Sequence, residues 1–232
     1  MGIDILGVSG SPIKNSNTDR AVQRILKAAN LNSEFIKLSE LNVKPCLACK
    51  RCVNDNICKQ PDDFPELAKK VLEAKVLVIG AYCPYGMVDG FTKAFLERLW
   101  SMRHVNNLNR GKPVVLVVTG LTPEDSRLRG IVKILFKPLL NKHLALHQVS
   151  RSIAREMRME KMNLLGIVKI PGNVPCLVCG NGNICEMSGA KLLYKKGIVF
   201  SKKLCVAIEN RPKVLKEIEH MGHKISVAIK QK

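Results

Sequence analysis

Cys46, Cys49, Cys52 and Cys58 fall within thirteen residues in the spacing C-x2-C-x2-C-x5-C, and no other stretch of the chain restricts its chemistry so narrowly. Three thiols each separated by two residues, with a fourth on a short tether, can converge on one compact inorganic centre. The first reading of residues 45–62 is therefore a loop wrapped around a 4Fe-4S cluster. Structural zinc, which more often uses two separated pairs, is the second reading. Disulfides are disfavoured, because neighbours this close would pair at strained geometry and the nine cysteines are an odd number. No secretory leader is read at the N-terminus, so the expected compartment is the cytoplasm, with thiols kept reduced.

The remainder must provide a scaffold. With 232 residues, 46% of them hydrophobic, the chain can bury one substantial α/β core, read as a single domain over 1–232 with two inserted loops. The apolar runs at 76–81 and 114–118 are far too short to span a bilayer and suit buried strands. Strand-like segments at 3–8, 34–38, 75–81 and 112–119 alternate with helical periodicity at 18–29, 64–73, 91–102, 125–143 and 211–230. This rhythm predicts a doubly wound, parallel, five-stranded sheet. Its ligands belong at the carboxyl ends of the strands, where the loops 9–18, 82–88 and 119–123 should gather.

The first of those loops carries Ser9-Gly10-Ser11-Pro12 and then Ser16-Asn17-Thr18, directly after an apolar strand and directly before an amphipathic helix that Asn17 or Thr18 would cap. Such a turn aims hydroxyls, backbone N–H groups and the positive end of a helix at one point, which suits a phosphate. Ser, Asn and Gly also populate ordinary loops, so the turn alone does not decide the matter.

Taken together, Gly7-Val8-Ser9-Gly10-Ser11-Pro12 with Ser16-Asn17-Thr18, the cysteine run after the second strand, and Cys83-Pro84-Tyr85-Gly86 followed by Lys93-Ala94-Phe95-Leu96-Glu97-Arg98 resemble the iron-sulfur flavoproteins of the NADPH-dependent FMN reductase superfamily. The resemblance covers roughly residues 1–120. It implies a flavodoxin-like fold, FMN, a 4Fe-4S cluster on the four cysteines, and electron transfer between the two. It also implies a homodimer or homotetramer in which the cluster of one subunit lies near the flavin of another. Ser9, Ser11, Ser16, Asn17 and Thr18 would then hold the FMN phosphate. Pro84, Tyr85, Gly86 and Met87 would lie along the isoalloxazine ring, with Thr119 and Gly120 in the third cofactor-facing turn. A phosphate wants uncharged donors and a helix start, whereas the ring wants backbone N–H groups and a flat apolar wall. Lys93, Phe95, Leu96, Leu99 and Trp100 read as helix surface and core.

A second cysteine-rich insertion, 171–205, departs from the compact pattern. Pro175-Cys176-Leu177-Val178-Cys179 and Cys185 repeat the first rhythm, with no counterpart to its third cysteine. Cys176, Cys179 and Cys185 would ligate a second cluster or a zinc ion, with Cys205 or Cys83 as a fourth ligand. The alternatives are three thiolates that leave one iron open for substrate or an exogenous ligand, or a free-thiol loop that packs near the flavin with its cysteines as small apolar side chains.

Thirty-eight Lys and Arg against nineteen Asp and Glu give a formal charge of +19. A basic surface draws acidic partners, and an acidic electron donor such as ferredoxin, or an anionic cofactor, fits a redox protein; a generally basic solvated surface is the alternative. Nucleic acid is not expected: aromatics are 4% of residues and no base-reading motif is present. The five histidines form no H-E-x-x-H, which removes hydrolytic metal chemistry of that type. The expected function is an FMN and 4Fe-4S electron-transfer flavoprotein that takes electrons from a low-potential donor. The alternatives are an NAD(P)H-dependent FMN or quinone reductase with structural zinc and, from another class, a redox-sensing nucleic-acid binder.

Overall fold

Alternate residues of a strand point to opposite faces, and the central strands use both faces for apolar side chains. In β3 (Val76–Tyr82), Val76 and Val78 enter one core while Leu77, Ile79 and Ala81 enter the other. In β4 (Pro113–Gly120), Val115 and Val117 oppose Val114, Leu116 and Val118 in the same way. With β1 (Ile5–Ser9), β2 (Ser33–Lys37) and β5 (Asn163–Pro171) they form one sheet of order β2-β1-β3-β4-β5, every pair parallel. The computed structural model describes residues 2–120 and 145–230.

Helices α1 (Asn17–Ala29) and α6 (Pro212–Lys230) cover one face. The other face carries α2 (Phe64–Glu73), α3 (Gly90–Leu99) and α4 (Ala145–Met159), and a short helix α5 (Gly189–Leu193) lies in the second cysteine segment. Helix α1 sits tightly on the sheet: a Cβ at Gly7 or Gly80 would meet Val22 at 2.7 or 2.8 Å. Among the described residues, no helix is long and apolar enough to cross a membrane.

Sequence periodicity located β1 to β4, α1, α2, α3 and α6 to within a few residues. The cap of α1 is a correction: Ser16, rather than Asn17 or Thr18, accepts from the Asp19 N–H, and Asp19 answers by accepting from the Ser16 N–H, which closes a capping box. Helix α3 ends at Leu99 and tightens into a 3-10 turn over Trp100–Arg103, short of the helix expected to 102. Helix α4 and strand β5 had no counterpart among the segments located by periodicity. The helix expected at 125–143 lies outside the described residues.

Candidate functional site

The carboxyl ends of β1, β3 and β4 bring the loops 9–18 and 82–88 together with Thr119 and Gly120; residues 121–123 of the third expected loop lie outside the described residues. Thr18 Oγ1 donates to Thr119 Oγ1 at 2.8 Å, which joins the phosphate-type loop to the end of β4. Ser9 Oγ donates to Asp19 Oδ1 at 2.6 Å, and the Ser11 N–H points back to Ser9 Oγ at 3.4 Å. Asp19 is buried and its charge is met by Lys37 Nζ at 2.7 Å, which also donates to the carbonyls of Ser11 and Ile13. Ser9 and Ser16 therefore shape the loop through Asp19. Asn17 reaches sideways, donating to Val206 O and accepting from the Ile208 N–H.

After β3 the chain turns outward at two consecutive left-handed residues, Tyr85 (φ 50°) and Gly86 (φ 76°). Tyr85 is completely exposed and Met87 is 70% exposed, an unusual display of apolar surface at the mouth of a doubly wound sheet. Pro84 starts this turn and Asp89 closes it, accepting from the N–H groups of Tyr82 and Thr92 and so capping α3. Gly120 packs against Cys83, where a Cβ would lie 2.9 Å from the cysteine Cβ. The donors of the first loop, the start of α1 and the exposed apolar wall are of the kinds that FMN requires at its phosphate and ring.

The cysteine segment lies elsewhere. Asp89, at the N-terminal end of α3, belongs to the carboxyl edge. Arg98, about 14 Å along the helix axis, belongs to the cysteine loop. Cys46, Cys49, Cys52 and Cys58 line one pocket with Arg98, Trp100 and Ser101. Left-handed residues Ala48 (φ 50°) and Lys50 (φ 59°) turn the chain between the first three thiols. Three sulfurs receive N–H groups: Ala48 N–H to Cys46 at 3.4 Å, Arg51 Nε to Cys49 at 3.5 Å, and Arg98 Nη2 to Cys58 at 3.2 Å. The Arg51 contact draws the Cys49 thiol below its usual range. Burial, reinforced by Cys58, Cys46 and Cys49, pushes the Cys52 thiol up. Among the described residues, no three Cys, His, Asp or Glu side chains stand close enough to hold one metal ion. The donors directed at sulfur nonetheless suit thiolates bound to a charged centre, and in this respect the residues fit a cluster.

The loop is closed at its base by reciprocal bonds. Asn42 N–H donates to Asp63 Oδ2 at 2.6 Å, Asp63 N–H donates to Asn42 O at 3.1 Å, and Lys44 N–H donates to Asp62 Oδ2 at 3.0 Å. Asn56 fastens its far side, accepting from the N–H groups of His104 and Val105 and donating to Asn106. Arg98 binds Asp62 through both terminal nitrogens, at 2.5 and 2.9 Å, and also donates to Lys44 O. Burial pushes the Asp62 carboxyl up, but Arg98 and the N–H groups of Lys44 and Phe64 outweigh it and leave the group below its ordinary value. Sequence reasoning gave no role to Arg98, Asp62 or Asn56. The available signal was an arginine in register with Ala94, Phe95 and Leu99 on the apolar stripe of α3.

The second cysteine segment begins where β5 ends and returns at Val206. There Asn17 and Asn173 both donate to the Val206 carbonyl at 3.1 Å, and the Val206 N–H donates to Asn173. Cys176 and Cys205 pack on a small core of Val174, Leu177 and Ala190. The Ala190 N–H draws the Cys176 thiol down. Cys179 is exposed, and Cys185 follows in the turn after Asn181. Of the two candidates for a fourth ligand, Cys205 shares this small core. Cys83 is buried in the main core, where desolvation pushes its thiol up to about 12.

The strand order 2-1-3-4-5, with a hydroxyl-rich loop after β1 and helices on both faces, defines a flavodoxin-like α/β protein. The sequence pattern of the NADPH-dependent FMN reductases matches residues 3–151, and the chain belongs to that family. It is 31% identical over 102 residues to an iron-sulfur flavoprotein of Methanocaldococcus jannaschii, covering 43% of this chain and 53% of the relative. It is 29% identical over 117 residues to one from Archaeoglobus fulgidus, covering 50% and 58%. The chain thus spans about half the length of the curated relatives it matches. Among solved structures, an NAD(P)H:quinone oxidoreductase from Methanothermobacter marburgensis shares the fold with a TM-score of 0.60 at 13% identity, over 97% of this chain and 96% of that one.

Proposed function

We propose that this protein is a flavin-dependent oxidoreductase that holds FMN at the carboxyl edge and a 4Fe-4S cluster on Cys46, Cys49, Cys52 and Cys58. The observation that carries the reading is the cysteine pocket, where four thiols line one space and three of them already receive N–H donors. FMN, when bound, converts between one-electron and two-electron chemistry. The chain's own part is to supply Ser11, Thr18, Thr119 and the start of α1 to the phosphate, and Pro84, Tyr85, Gly86, Met87 and Gly120 to the ring side. The length of α3 separates the two sites within one chain. This favours a homodimer or homotetramer in which the cluster of one protomer approaches the flavin of the next.

The donor in this reading is an acidic one-electron carrier such as ferredoxin. Lys44, Lys50, Arg51 and Lys59 are exposed around the cysteines, beside exposed Leu47 and Ile57. Mixed basic and apolar surface is suited to a transient acidic partner. The reading keeps these thiols reduced, which suits a cytoplasmic protein. The segment carrying Cys176, Cys179 and Cys185 takes a second metal, with Cys205 as its fourth ligand.

Anaerobic purification with iron, sulfide, zinc and flavin analysis tests the reading. One flavin with about four irons and four sulfides per chain is expected from the first site, together with one zinc or about four further irons from the second segment; four irons with no further metal would leave the first site standing and end the proposal for the second. Flavin with zinc alone would end the cluster reading. The family match favours a second reading, direct reduction of flavin by NADPH. Rapid anaerobic bleaching of the flavin by NADPH without a mediator would select it over the ferredoxin route.

A further inference from the structure

A fully buried guanidinium is costly, and a pair of well-packed apolar side chains often stabilises as well as a buried ion pair. Arg98 is 1% exposed, and Asp62 meets its charge through a two-point contact. Stapling the cysteine loop to α3 accounts for that contact and for the bond to Lys44 O. It does not account for the fourth bond, from Nη2 to Cys58 Sγ at 3.2 Å. The planar fork held by Asp62 fixes the direction of the second Nη2–H, and that direction is the sulfur. Phe64 supports the other side of the group, with its ring centroid 4.6 Å from the guanidinium carbon.

We propose that Arg98 is a positioning residue for the cluster, fixing Cys58 Sγ and raising the cluster's reduction potential through the Nη2–H···Sγ bond. The inference rests on the reading that these four cysteines hold a cluster. Reduction adds an electron to an already anionic thiolate-bound centre, and N–H donors and nearby positive charge stabilise the more negative state. Arginine stays protonated at every accessible pH, so the effect is permanent. Lysine would keep the charge and one contact to Asp62, but it has no second rigid branch for the sulfur.

The test compares wild type, Arg98→Lys and Asp62→Asn after anaerobic reconstitution with iron and sulfide. Circular dichroism and iron content are measured first, and then the midpoint potential by dye-mediated titration followed by electron paramagnetic resonance. Arg98→Lys should lower the potential by about a tenfold change in the reduction equilibrium, about 59 mV for a one-electron couple. Asp62→Asn leaves the arginine charge unneutralised beside Cys58 and should shift the potential upward. If Arg98→Lys fails to fold or to load iron, the sign of the Asp62→Asn shift decides. Loaded variants with wild-type potentials would reduce Arg98 to a packing residue and overturn the inference while leaving the cluster reading intact. A wild-type protein that takes up no iron and sulfide removes the cluster reading, and the inference with it.

Discussion

The two cysteine segments share a sequence rhythm but are held by different means. The first is tied into the main body at three places: its base by Asn42, Lys44, Asp62 and Asp63, its middle by Asn56, and its last thiol by a buried arginine from α3. Among the described residues, the second rests on a small core of three buried apolar side chains, Val174, Leu177 and Ala190, and on side-chain amides that hold its return at Val206. Similar spacing therefore says little about rigidity. A loop borrows its stability from the element it is fastened to, and one fastened mainly to itself should open on its own.

The largest expected effect comes from removing the brace. Asp62→Ala leaves Arg98 buried and unpaired and should cost about 3–5 kcal/mol in urea unfolding. A loss below about 1 kcal/mol would mean that the first segment does not depend on the pair.

Leu177→Ala sharpens the contrast. It should destabilise the second segment by about 2–3 kcal/mol. Hydrogen exchange should then accelerate strongly within 174–205, while exchange in β3 and β4 stays unchanged. Equal acceleration in the central strands would show that the two regions unfold as one unit, and the comparison would fail.

The smallest effect concerns pH. The folded-state pKa of Asp62 is depressed below the ordinary 3.8, so its contribution is fully present above that value and is lost as pH falls through the lowered one. Wild type should lose stability more steeply than Asp62→Asn below about pH 4, read by urea midpoints at successive pH values.

Much of the scaffold was legible because apolar periodicity is a local property. The runs at 76–81 and 114–118 read as strands, and 64–73 coincides with α2, since each keeps its period throughout. Strand β5 carries a weaker local signal. It lies at the edge of the sheet, where most of its residues are only partly buried, and Gly166 and Lys169 interrupt its apolar pattern. The cysteine ligand candidates were legible from spacing, whereas their support was not. Arg98 meets Asp62, Cys58 and Lys44 across 36, 40 and 54 residues of sequence, and no local pattern encodes such meetings. The phosphate-type loop was legible as a location, but Asp19 and Lys37, which occupy its hydroxyls and carbonyls, were not.

Helix α3 acts as a ruler between two fittings. Asp89 locks one end to the strand ends, and Arg98 locks the other to the cysteines. One residue inserted between them would advance the arginine by about 1.5 Å and swing it by about 100° around the axis, away from both Asp62 and Cys58. Four inserted residues would bring it back to nearly the same bearing about 6 Å further out. Over this stretch the fold tolerates changes of residue type more readily than changes of length.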